Sequence, residues 1–449
     1  MSSRPVCPRA TAGHVMCGAQ ALVLRSNGSL VRPHVSPYSA LGRVRPASTR
    51  GVAAAEPAGA SAPDPGTPGY LQQAYDLAYL AQKDASNDTV AIVDAFDDPN
   101  AEGDLATYRS AYGLPPCGSD TGCFQKVGQD GSSSLPGPSQ LWEQEISLDL
   151  DAVSAICPTC HILLVEAKSD AFTDLEAAMA RAAKTSGVKQ IVASWWGTAS
   201  DVPAGLPTGI PAFPGVATVA ATGDEGYAGA DQNNYPAALP GVTAAGGTSL
   251  AAAAAPGARG FGESAWSFNG LTGGGSGCDR HFERPAYQPA AGCVGRAYAD
   301  LSADGNPDTG LQVYDSNSGD SQNHWIVLGG TSLAAPLIAA YYAITGVDGT
   351  TPQWAYGDAG ALNDVLSGST GACAASIAYI CNAGVGYDGP TGVGSISGSV
   401  VTGAPGIDGP AIPGGDQTQS NTYTQSVTTH GATIAAGIYR NGLDTHWWI

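Results

Sequence analysis

The chain has 449 residues, 43% of them hydrophobic, which is enough to bury one large core with smaller attachments. Thirty-nine acidic residues against 19 basic ones give a formal charge of -20, which repels phosphate backbones and anionic lipid and sets nucleic acid aside as a partner. No apolar run is long enough to span a bilayer, so membrane insertion is not expected.

Residues 1–66 run against this charge balance, with seven arginines facing only Glu56 and Asp64. The acidic remainder sheds its self-repulsion only when carboxylates protonate, which points to acid working conditions. The segment "CPRATAGHVMCGAQALV" reads as a short cap, and residues 43–68, rich in Ala, Pro, Gly and Ser, read as a linker in which N-terminal processing is expected. No secretory-type apolar run opens the chain, so its start is expected to be clipped or misassigned. Ten cysteines form five near-neighbour pairs (Cys7 and Cys17, Cys117 and Cys123, Cys157 and Cys160, Cys278 and Cys293, Cys373 and Cys381), suggesting small-loop disulfides and export from the cell.

From residue 67 to about 400, β-prone runs alternate with helical patterns: "TVAIVDAFD" (89–97), a helix over 138–156, "HILLVEA" (161–167), a helix around 172–185, "VKQIVASWW" (188–196) and "GVATVAATGD" (215–224). Such a pattern predicts an α/β fold with a mostly parallel sheet covered by helices on both faces, its ligands gathered at the carboxyl ends of strands. Residues 401–420 return to Gly/Pro-rich composition, and 426–449 alternate like strands around an Asn-Gly turn signal. That tail is expected to be a linker and the incomplete start of a fibronectin- or immunoglobulin-like β module.

Chemistry concentrates in a few stretches. In "GGTSLAAP" (329–336), Ser332 opens a long apolar helix as a candidate nucleophile, but none of the seven histidines sits in a recognisable base setting. Glu145 and Asp149, four apart on the 138–156 helix, share one face and can share a proton. Asp224 ends a strand in "ATGDEG". A carboxylate base suits acid water, where a histidine would already be charged, and a carboxylic acid held neutral can donate to an oxyanion. Together these demands define a window of roughly pH 3 to 5.5.

Over approximately residues 67–397 the chain resembles the sedolisins, or serine-carboxyl peptidases, secreted peptidases with a subtilisin-like fold. "GGTSLAAP" resembles their nucleophile motif, with Gly329 departing from its first Ser, and implies Ser332 as nucleophile. "EISLD" implies Glu145 as general base with Asp149 as its partner, and "ATGDEG" implies Asp224 as oxyanion donor; "SWWG" (194–197) and "TGGGSG" (272–277) resemble segments of the substrate cleft. "LNDVLSG" with "AGVGYDGPTGVGS" resembles the family's calcium site and implies one structural Ca2+ held by Asp364 and Asp388 side chains and the carbonyls of Val365, Gly384 and Gly386. Trp196 and Glu102 match positions that extend the hydrogen-bond chain behind the Glu/Asp pair. The resemblance implies an endopeptidase acting on protein or peptide substrates, secreted, and expected to be a monomer. The runners-up are a Ser-His-Asp protease using Asp94, at the end of the first strand, and a catalytically silent surface-binding protein. A glycoside hydrolase using Glu145 and Asp149 leaves Ser332 and Asp224 without a role.

Overall fold

The computed structural model describes residues 1–33, 35, 63–82, 88–198, 201–202, 213–227, 234–252, 260–268, 272–289, 292–319 and 322–398, with the backbone of 422–429, 432–441 and 444–448. The expected processing stretch lies outside the described residues up to residue 62, as does the 401–420 linker.

Val, Ile and Ala runs form a sheet ordered Phe124–Gly128, His161–Ala167, Thr89–Ala95, Val188–Ala193, Ala217–Ala221 and Thr243–Ala252, all parallel. Phe261–Ala265 closes one edge antiparallel, and Leu301–Asp304 adds to Thr243–Ala252 in parallel. The inner strands are buried along almost their whole length, as a sheet sandwiched between helices requires. Two helices carry the key motifs: Gln140–Ile156, buried from Trp142 onward, and Thr331–Thr345, buried from Thr331 to Ile344. Thr331–Thr345 is apolar on nearly every side and Gln140–Ile156, though it carries several acidic residues, is buried all round, so both lie in the core and pack against the sheet and each other. The fold is therefore the expected subtilisin-like α/β arrangement, and all five cysteine pairs are disulfides.

The predicted strand 188–196 is two elements. Val188–Ala193 stays in the sheet, whereas Trp195–Thr198 leaves it to pair with Asn234–Tyr235 on one side and Met16–Cys17 on the other. The break falls at Ser194, whose hydroxyl and carbonyl are committed to Asp149 and Ser332. In the tail, Thr422–Thr429, Ala432–Asn441 and Asp444–Trp448 form a separate antiparallel sheet, with Asn441 opposite Asp444 across the Asn-Gly signal.

Many acids are buried in this core. Burial pushes Asp94, Glu166 and Asp304 up to about 8, and Asp98, Asp224 and Asp315 up to about 7. These groups hold protons in the folded chain that the unfolded chain releases near pH 4, so their contribution to stability is complete below that pH and is lost as pH rises through 7 to 8. The melting temperature is accordingly expected to be higher at pH 4.5 than at pH 8, which scanning calorimetry across the interval checks; a midpoint rising over the same interval would contradict the assignment.

Candidate active site

Three adjacent parallel strands end at one place. Asp94 lies near the end of Thr89–Ala95, Ser194 follows Val188–Ala193, and Asp224 lies three residues beyond Ala217–Ala221. The helix Gln140–Ile156 brings Glu145 and Asp149 to the same point, and Thr331–Thr345 brings Ser332 as its second residue. All six side chains are buried.

Ser332 is presented by Gly330, whose φ of +95° is open to glycine but strained for residues with a Cβ. A Cβ there would fall 2.7 Å from Asp224 Oδ2, so the backbone runs against that carboxyl. The Ser332 hydroxyl donates to the Ser194 carbonyl at 3.0 Å. Four residues on, Pro336 has no N–H, leaving the Ser332 carbonyl without its helical partner. The Ser194 hydroxyl lies 3.3 Å from that carbonyl and 2.8 Å from Asp149 Oδ1, its one proton placed between the two acceptors with the shorter contact to Asp149, tying the serine's turn to the carboxylate helix.

Glu145 and Asp149 are both held well above the ordinary carboxyl range. For Glu145 the chief cause is desolvation, then the charge of Asp94, while the Ser332 hydroxyl and the Ala19 amide pull the other way. For Asp149 desolvation again leads, followed by the charges of Asp94 and Glu145. Glu145 Oε1, Asp149 Oδ2 and both Asp94 oxygens are buried without a hydrogen-bond partner. An isolated buried carboxylate costs so much that the group protonates instead, so this cluster carries protons through mildly acid and neutral pH.

Asp224 is held by Thr331, whose N–H and hydroxyl donate to Oδ1 at 2.8 and 2.9 Å. Desolvation raises it to about 7, against these bonds, and the Gln20 side chain approaches in favour of the anion without closing a well-formed hydrogen bond. Oδ2 stays unpartnered beside Gly330, so below neutrality it is a neutral acid with a donor free to point toward Ser332's side of the turn.

The N-terminal segment, expected as a short cap, lies inside this site. Met16 and Cys17 pair antiparallel with Trp196 and Trp195, and Gly18 N–H donates to the Ser194 carbonyl at 3.0 Å. Beyond Gly18, Gln20 and Ala21 pair with Gly329 and Leu328 of Trp325–Gly329. Between these grips, Ala19 N–H donates to Glu145 Oε2 at 2.7 Å.

Two expected neighbours are elsewhere or act differently. Glu102 is half-buried on the helix Ala101–Ala111 and accepts from the Ser119 amide and hydroxyl, both at 2.7 Å, so it does not extend the Glu/Asp pair. Trp196 is buried but packs against Gly18 and Gly223 rather than joining the carboxyls. Asp94 is the group behind the pair, and no histidine bonds to it or to Ser332 among the described residues, which removes the support for a Ser-His-Asp arrangement. Sequence reasoning missed Ser194 and Thr331, although both fall inside the motifs it quoted, and missed Gly18, Ala19 and Gln20, which no local pattern marks.

At the expected calcium loop, Asp364 accepts from Gly386 N–H at 3.0 Å, and Asp388 accepts from Gly384 N–H at 3.0 Å and from Thr391 N–H and hydroxyl at 2.8 Å. Both carboxylates thus grip residues 384–388, while the carbonyls of Val365, Gly384 and Gly386 accept no hydrogen bond from the described residues. Among the described residues no three His, Cys, Asp or Glu side chains are placed so as to hold a metal ion by themselves, so a cation here depends on carbonyls as much as carboxylates. Two carboxylates and three free carbonyls are the oxygen set a hard cation takes.

No family model matches the chain. Kumamolisin of Bacillus sp. (strain MN-32) is 29% identical to it over 369 residues, covering 75% of this chain and 62% of that protein. The chain therefore spans less than two thirds of the curated relative it matches. Among solved structures, Pseudomonas sedolisin, a serine-carboxyl proteinase complexed with two molecules of pseudo-iodotyrostatin, is 25% identical with a TM-score of 0.59, covering 74% of this chain and 95% of that one.

Proposed function

We propose that the chain, similar in sequence to kumamolisin and in fold to Pseudomonas sedolisin, is a secreted, acid-acting serine-carboxyl endopeptidase with Ser332 as nucleophile. The observation that carries this reading is the meeting of Ser332, Glu145, Asp149 and Asp224 at one buried point, with no histidine among the described residues bonded to the serine.

In this reading a peptide lies along Trp195–Thr198, and Ser332 Oγ attacks its carbonyl carbon while passing its proton to Glu145. Glu145 and Asp149 each keep one unpartnered oxygen, and one proton held between them satisfies both. Asp94 behind them adds like charge, so the three carboxyls lose protons in steps, and the first loss supplies the single anion that serves as base. Neutral Asp224 donates to the oxyanion from Oδ2. Glu145 then returns its proton to the departing amine, and water enters by the reverse path to free the acid product.

The pH dependence follows from the two demands. Below the first ionisation of the cluster the base is lost, and above about 7 Asp224 ionises and the oxyanion donor is lost. A profile of kcat/KM from pH 2.5 to 8 on denatured protein is expected to be bell-shaped with an acidic maximum. Glu145→Gln is expected to fall by roughly 10²–10⁴-fold, the usual worth of a general base, and Asp224→Asn to lose the alkaline limb near 7. A maximum above neutrality, or undiminished activity in Glu145→Gln, would overturn the reading.

For the loop gripped by Asp364 and Asp388 the reading assigns one structural Ca2+, held by these carboxylates with the carbonyls of Val365, Gly384 and Gly386; when bound, the ion ties 364–365 to 384–388 and takes no part in bond breaking. Chelation is expected to lower the melting temperature by a few degrees, restored by added Ca2+, with the effect absent in Asp364→Asn. A chelator that leaves the wild-type midpoint unmoved would count against the ion.

A further inference from the structure

We propose that Trp196 restricts this peptidase to cutting after glycine, its indole filling the space that a side chain on the attacked residue would need; the inference rests on the peptidase reading above. Residues 16–19 mark where a peptide backbone fits beside Ser332. Gly18 N–H donates at 3.0 Å to the Ser194 carbonyl, which also accepts the Ser332 hydroxyl. The Gly18 carbonyl oxygen packs against Gly330, on the face that Asp224 Oδ2 approaches, and the next amide, Ala19 N–H, reaches Glu145 at 2.7 Å. A substrate residue in the place of Gly18 therefore offers its carbonyl to Ser332 and Asp224, and its leaving nitrogen to Glu145.

Strand periodicity fixes where the side chain of that residue would go. Met16 stands opposite Trp196, and residues opposite one another in an antiparallel pair project from the same face. Gly18, two residues on from Met16, shares that face, so a side chain there is aimed at the indole. A Cβ on Gly18 would lie 2.5 Å from Trp196 Cζ3, 3.3 Å from Cε3 and 2.4 Å from Ser332 Oγ. The serine hydroxyl can turn to another rotamer, but the indole has nowhere to retreat. Its far edge is backed by Gly223, where a Cβ would come within 3.1 Å of both Cε2 and Nε1 and 2.4 Å of Asn234 Nδ2. That amide is itself held by the Thr222 carbonyl at 2.5 Å, and Trp195–Thr198 is pinned on its other side by Asn234–Tyr235.

The ring thus spans from Gly18 across to Gly223, two positions that carry no side chain, and leaves room for a hydrogen only. Bond breaking is unchanged by this; what is selected is the residue whose carbonyl reaches the serine. One methylene in an apolar pocket changes kcat/KM by roughly 10–200-fold, and here the first added carbon meets an overlap with a backed ring rather than a loss of contact.

The test uses the full-length chain at pH 4.5 with two substrates: a tryptic peptide library whose cut sites are read by mass spectrometry, and quenched fluorescent hexapeptides differing only in Gly, Ala, Leu or Phe before the cut bond. The wild type is expected to cut the library after glycine, with kcat/KM for the Ala peptide lower by roughly 10–200-fold and for the Leu and Phe peptides lower still. Trp196→Ala, checked for folding by its melting temperature, is expected to keep cleavage after glycine and to gain cleavage after Ala and Leu. Trp196→Phe, a smaller ring and a milder change to the fold, is expected to gain Ala alone. A wild type that cuts after Leu or Phe as readily as after Gly, or folded Trp196 variants with an unchanged preference, would overturn this inference and leave the peptidase reading standing. Absence of any cleavage by the folded wild type and both variants would overturn both.

Discussion

The arrangement depends on the cost of keeping carboxylates away from water. Asp94, Glu145, Asp149 and Asp224 are all buried, and no lysine or arginine among the described residues pairs with them. Burial of such groups is relieved by protonation, and their different surroundings separate how readily each gives up its proton. Asp224, hydrogen-bonded through Oδ1 and with Oδ2 unpartnered, is raised to about 7, whereas the like charges of Asp94, Glu145 and Asp149 add to desolvation in holding Glu145 and Asp149 well above the ordinary carboxyl range. The same force acts on Glu166, Asp304 and Asp315 away from the site, so greater stability in acid is expected of the whole domain.

Topology places these groups and hydrogen bonds hold them. Three neighbouring parallel strands end together, which gathers Asp94, Ser194 and Asp224 without any long-range design beyond sheet order. The two buried helices supply the Glu145/Asp149 pair and Ser332, and Ser194 connects them because Pro336 leaves the Ser332 carbonyl free to accept from its hydroxyl. The strand edges beside the serine are the other consequence: unpaired edges attract extended chain, and here the chain's own residues 16–21 take them.

Much of the sheet was legible because buried parallel strands are written as continuous Val/Ile/Ala runs; "HILLVEA" coincides with the observed strand His161–Ala167. Glu145 and Asp149 were legible as a pair because four residues on a helix fix a shared face. Ser194 and Thr331 were not, since their importance comes from hydrogen bonds to residues 45 and 107 positions away. Glu102 was misplaced behind the pair for the same reason: an acidic residue early in a helix looks alike in sequence whether it faces the core or, as here, caps a surface loop at Ser119. The path of residues 16–21 had no local signature at all, because a short extended segment takes its structure from the edges it joins.

The most direct measurement is the protonation state of Asp224 in the folded chain, read by infrared difference spectroscopy of the carboxyl bands during a pH titration of Ser332→Ala and of the double variant carrying Asp224→Asn. The account predicts a neutral-carboxyl signal that persists at pH 6, disappears as pH passes about 7, and is missing from the double variant. Identical titrations in the two proteins, with Asp224 already ionised at pH 5, would contradict a neutral acid as the oxyanion donor.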